Sequence, residues 1–79
     1  MSQTTAEYVA AEVRAELGRQ GRDNQWLASE LSVSEMWVSR RLRNVTDWSV
    51  DDLMRVSGVL GVPVTQFLPA SALIAEAAA

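Results

Sequence analysis

The sequence predicts an all-α fold: a compact domain of five to six helices over residues 1–69, followed by a helical tail over residues 70–79. Three observations lead there. Apolar residues recur at spacings of three and four, the period of one helix face. A short polar residue able to cap a helix (Thr4, Asp23, Ser34, Ser49) stands ahead of each apolar stripe. Glycine, asparagine and proline at Gly18, Gly21, Asn44, Gly61, Pro63 and Pro69 fall where the stripes end.

Thr4 with Glu7 three residues later makes a capping-box signature, and Val9, Val13 and Leu17 follow at spacing four with Ala6 and Ala10 beside them. Gly18 is expected to close this first helix or nearly so, with Gly21 helping the chain turn. Arg14, Arg19 and Arg22 gather at this end. They suit either phosphates on a nucleic acid or the negative end of the helix dipole.

The stretch from Asp23 to Asn44 is the centre of the chain and reads as two short helices joined by a tight turn. Asp23 caps the first of them, which buries Leu27, Ala28 and Leu31 and carries Trp26 at the margin of the core. Ser32-Val33-Ser34 interrupts the pattern; Ser34 caps the next helix, 35–43, and Glu35 complements its dipole. Val38 and Leu42 form a narrow apolar seam on that helix. At about 100° per residue, Met36, Arg40 and Arg43 share an arc of roughly 60° well away from the seam. Trp37 lies on the shoulder of that arc and is expected to cover the edge of the core.

Asn44, tolerant of a left-handed backbone, can end the helix. Ser49 caps another, with Asp51 and Asp52 in its first turn, and Trp48 and Leu53 have the spacing of a hydrophobic staple. Leu53, Val56 and Leu60 build its buried face and Gly61 ends it. Pro63 starts a last short turn in which Phe67 and Leu68 close the core, and Pro69 stops it. The tail has only Leu73 and Ile74 to bury, so it either frays or docks on its own domain or a partner's.

Seventy-nine residues suit one domain, near the lower limit for a self-sufficient core. With no cysteine and no histidine, disulfides, thiolate metal sites, zinc sites and the usual nucleophilic triads are excluded. The carboxylates are dispersed, so no catalytic constellation, metal site, cofactor or small-molecule ligand is expected. Neither a secretory signal nor an apolar run of about 20 residues is visible, so no membrane association and a cytoplasmic location are expected. The net charge of −3 is unevenly spread: residues 14–43 hold six of the seven arginines against four acids, and residues 44–79 hold one against four. Local field rather than total charge attracts phosphate. Two packed helices with a narrow buried seam and a basic outer face suit the major groove of DNA; a solvated hairpin in an ordinary bundle is the plain alternative.

Over residues 23–68 the chain resembles the helix-turn-helix domain of the XRE family, the phage repressor and Cro type. The resemblance lies in Leu27-Ala28, Leu31, Val33-Ser34, Val38-Ser39-Arg40 and Leu42, then in Leu53, Val56, Leu60-Gly61-Val62-Pro63 and Phe67-Leu68. The arginine-rich run and the tryptophan-bearing loop after it are similar to repressors of actinobacteria and their phages. The chain departs from the family at Ser32 and Asn44, where glycine is usual, and at Arg41, where an apolar residue is usual. The resemblance implies a lambda-repressor-like fold and a sequence-specific regulator that binds a double-stranded DNA operator as a weak homodimer. It implies base contacts from Ser34, Glu35, Met36, Ser39, Arg40 and Arg43, and phosphate contacts from Asn24 and Gln25; the arginines Arg19, Arg22 and Arg41 are expected to add phosphate contacts by their charge alone. Arginine can offer two donors to guanine, glutamate can accept from cytosine, and methionine can touch a thymine methyl. A protein-interaction module, antitoxin-like or associated with RNA polymerase, is the alternative function.

Overall fold

The computed structural model describes residues 3–70; the predicted tail, residues 71–79 in particular, lies outside the described residues. Every helix starts on a side chain that accepts from its own first turn. Thr4 Oγ1 accepts from the Glu7 N–H at 3.1 Å while the Glu7 carboxylate accepts from the Thr4 N–H at 3.0 Å, opening α1 (Thr5–Arg19). Those bonds, the one from the Thr4 backbone first, hold the Glu7 carboxyl below its ordinary pKa. Asp23 caps α2 (Asn24–Leu31) through the Trp26 N–H at 2.8 Å, and Ser34 caps α3 (Glu35–Leu42) through the Trp37 N–H at 3.0 Å. Ser49 and Asp52 form a second reciprocal box at the start of α4 (Val50–Leu60).

The helix ends share one geometry. A left-handed residue follows each helix: Gly21 at φ 65°, Ser32 at 58°, Asn44 at 61° and Gly61 at 72°. After α1, for example, the Arg22 N–H reaches back to the Leu17 carbonyl and the Gly21 N–H to that of Gly18. This is the Schellman arrangement, which satisfies carbonyls the helix leaves unpaired. Gly18, the expected terminus, lies inside α1; the reversal waits for Gly21, the residue with positive φ. The two non-glycine members, Ser32 and Asn44, stand on either side of α3.

Among the described residues there are four α-helices and one 3₁₀ turn, Val64–Phe67, with no strand. The expected count of five to six helices is thereby corrected. Between Pro63 and Leu68, whose backbone is extended, only four residues are available, and so short a run takes the tighter i→i+3 pattern.

The apolar stripes converge as their spacing requires. Val9, Val13 and Leu17 of α1, Leu27, Ala28 and Leu31 of α2, Val38 and Leu42 of α3, and Leu53, Val56 and Leu60 of α4 are all buried. Phe67, fully buried, closes this core from the 3₁₀ turn, while Leu68 is only half-buried. Helix α2 packs on both α3 and α4, and α1 packs on α3 and on the 3₁₀ turn.

Polar side chains then tie helix ends to other helices. The Arg14 guanidinium donates to the Leu42 carbonyl at the end of α3, and Arg55 donates to Leu31 at the end of α2. Gln20 donates to the Leu60 carbonyl of α4 at 2.8 Å. Beside it Glu16, buried on α1, accepts from Gln20 at 3.0 Å, Arg19 at 2.8 Å and Gln66 of the 3₁₀ turn. These donors, Gln20 foremost, then Arg19 and Gln66, stabilise the anion and hold its pKa below the ordinary value.

Candidate nucleic-acid interface

Helix α3 is held by one narrow edge. Val38 and Leu42 are buried, so the face across from them is presented outward. On that face Met36 is 59% exposed, and Arg40 and Arg43 are exposed beside it. An exposed methionine between two arginines forgoes burial that it would gain in a core. Val45, Val50 and Met54 are exposed as well, so what sets Met36 apart is its place between the two arginines.

The face continues onto α2. Asn24 at the start of α2, Glu35, Met36 and Ser39 of α3, and Arg43, which caps α3 rather than ending it as expected, line one shallow open groove of about 350 Å³. Gln25 is exposed in the same first turn of α2, where backbone N–H groups lack intrahelical partners. The turn that sets the angle between the two helices depends on Ser32. Its left-handed backbone lets the Ser32 N–H return to Ser29 and the Val33 N–H to Ala28, and Ser34 can then cap α3. The Ser34 hydroxyl is occupied by that capping bond, and Ser39 is half-buried in the groove wall.

The residues named from the sequence thus divide. Asn24, Glu35, Met36, Ser39 and Arg43 surround one groove, with Arg40 on the same outward arc. Arg19 pairs with Glu16 on α1, its side chain 54% exposed, and the Arg22 guanidinium lies 4.6 Å from the centre of the Trp26 ring. Arg41 turns inward. Its guanidinium stacks 3.6 Å from the centre of the Trp37 ring, donates to the Trp37 carbonyl at 3.3 Å, and lies 3.5 Å from Asp52 of α4. Trp48 meets Trp37 edge to face, their ring centres 6.0 Å apart. Spacing four on α3 brings Trp37 and Arg41 together, but nothing local announces Asp52, which comes from a different helix. The sequence signal is the charge itself, standing where the resembling family carries an apolar residue.

A second groove, of about 400 Å³, lies between the first turns of α1 and α4 and includes Val9, Trp48, Val50, Leu53 and Leu68. Trp48 and Leu53 share its wall, as their staple spacing anticipates. No helix among the described residues is long and apolar enough to cross a membrane.

Comparison with known proteins found no matching family model and no matching curated protein. Among solved structures the chain is similar to the hypothetical transcription factor NHTF from Neisseria, with a TM-score of 0.79 and 22% sequence identity. The match covers 90% of this chain and 84% of that one. At this identity the likeness shows a shared fold, here that of a chain described as a transcription factor.

Proposed function

We propose that the chain is a sequence-specific regulator of the repressor and Cro type, which reads the major groove of double-stranded DNA with α3. The observation that carries this reading is the outward face of α3 and its cap: two exposed arginines, Arg40 and Arg43, flank an exposed methionine, continuous with the start of α2. Arg40 and Arg43 are suited to guanine, Met36 to a thymine methyl and Glu35 to the cytosine amino group, with Asn24 and Gln25 holding phosphate. In this reading the protein is a cytoplasmic binding protein with no catalytic role. It acts as a weak homodimer whose half-sites lie about 34–36 Å apart along one face of the duplex.

Binding to a pool of random duplexes, sequenced after retention at two salt concentrations, tests the proposal. The expected result is an enriched two-part motif that disappears with Arg40→Ala. Each phosphate contact should contribute about 0.9 to the slope of log affinity against log salt. A pool that returns unenriched at both concentrations ends the reading.

The apolar groove at the first turns of α1 and α4 favours a second function, recognition of another protein. Arg40→Glu separates the two: it abolishes DNA binding under the first and leaves a protein complex intact under the second.

A further inference from the structure

Arg41 is the one arginine of α3 that does not join the outward face. At about 100° per residue it lies a quarter-turn beyond Arg40, and its side chain is only 15% exposed. The guanidinium is held on α3 itself by the face and the carbonyl of Trp37, and across to α4 by the Asp52 carboxylate. Asp52 is not a free anion either, since the same carboxylate accepts from the Ser49 N–H in the box that starts α4. Trp48, the residue just before that box, completes the cluster by packing edge-on against Trp37.

The location gives the cluster its consequence. Helix α3 leans on α1 and α2 for its close backbone packing and shares the apolar core with α4, whereas its polar link to α4 is made by these long side chains. A helix held by a narrow seam of Val38 and Leu42 can roll about that seam unless something fixes its shoulder. An apolar residue at position 41 would fill the space without burying charge. The chain instead keeps an arginine there, although Arg41 Nε and Trp48 Nε1 are buried without a hydrogen-bond partner. What the arginine adds beyond filling is charge: an ion pair with Asp52 of α4, beside its bond to the Trp37 carbonyl.

We propose that Arg41 is a positioning residue of the reading helix: clamped between Trp37 and Asp52, it fixes the roll of α3 against α4 and so determines which bases Arg40 and Arg43 reach. This rests on the DNA-reading function proposed above. It replaces the phosphate contact expected for Arg41 from its charge with an internal role, and it makes Asp52, a residue of another helix, part of sequence selectivity.

Two variants test it in the full chain, Arg41→Met and Asp52→Asn, each titrated against the selected operator and a one-base mismatch over a range of salt. The proposal expects both to lose selectivity by about tenfold, the scale of one misplaced base contact, with the salt slope unchanged. If Arg41 instead bound phosphate, Arg41→Met would lower the slope by about 0.9. In that case Asp52→Asn, by freeing the guanidinium, would tighten binding. Either of those results overturns the proposal, as does wild-type selectivity in both variants. Should Arg41→Met fail to fold, Asp52→Asn decides alone. Should the wild-type protein bind no duplex at all, the DNA reading fails separately. The clamp is then judged from the indole N–H resonances of Trp37 and Trp48, which move in Asp52→Asn if it exists and stay in place if it does not.

Discussion

Ser32→Gly should make the protein more stable. Ser32 sits at φ 58° and ψ 44°, where a Cβ crowds the following carbonyl at roughly 1–2 kcal/mol per residue. Glycine removes that crowding but loses more chain entropy on folding, which takes back roughly 0.5–1 kcal/mol. The balance spans about 0–1.5 kcal/mol in favour of glycine and comes to about 0.5–1 kcal/mol near the middle of both ranges. For a domain of this size each kcal/mol moves the melting temperature by about 4–8 °C, so thermal unfolding should shift upward by about 2–8 °C. Ser32→Ala keeps the Cβ and serves as the control, with a change within about 0.5 kcal/mol. Because the turn already holds the backbone that glycine prefers, operator affinity should not move. A Ser32→Gly protein that melts at or below wild type would show that position 32 carries no such cost. Asn44→Gly should follow in the same direction by less, since asparagine visits the left-handed region more readily.

Other perturbations address the core, the outward face and the buried carboxylate. Phe67→Ala empties the fully buried site under the 3₁₀ turn and should cost about 3–5 kcal/mol in urea unfolding, a large part of the stability of a small domain. Arg40→Ala and Met36→Ala, on exposed positions, should leave that stability within about 0.5 kcal/mol while weakening DNA binding; a large loss of stability would place them in the fold instead. Glu16 has its pKa lowered in the folded protein, so its contribution is complete above the ordinary carboxylate range and lost as pH falls through the folded value. Glu16→Gln should therefore be less stable than wild type near about pH 7, with the gap closing toward about pH 3. A gap constant across that range would show that the charge of Glu16 is not what the surrounding donors stabilise.

Local rules carried far in this chain because its helices are short and each begins and ends on its own signal. Thr4, Asp23, Ser34 and Ser49 all accept from the turn that follows them, and the residues at spacing three and four are the ones buried. Asn44 adopts the left-handed backbone its side chain suggested. What escaped was polar and distant. The bonds from Gln66 to Glu16, Gln20 to Leu60, Arg14 to Leu42 and Arg55 to Leu31 join residues 24 to 50 positions apart. No periodicity records such bonds, because they exist only once helices have docked. Arg41 belongs partly to the same class: Trp37 stands four residues before it on α3, but its other partner, Asp52, comes from α4. The helix count erred for a local reason, since a stretch bounded by Pro63 and Pro69 has too little length for an α-helical ladder.

The exchange of caps between helices has a kinetic corollary. Helices of eight residues, such as α2 and α3, are too short to persist alone in water. Their last carbonyls, Leu31 and Leu42, receive donors from α4 and α1, and α4 in turn receives one from Gln20 of α1. To release any one helix, the chain must therefore strip a donor from another. Amide protons of α2 and α3 should exchange with solvent only through openings that involve the whole domain, as one cooperative unit. Helices α2 and α3 should not survive transplantation as an isolated hairpin, because the groups that finish them are carried by the rest of the chain.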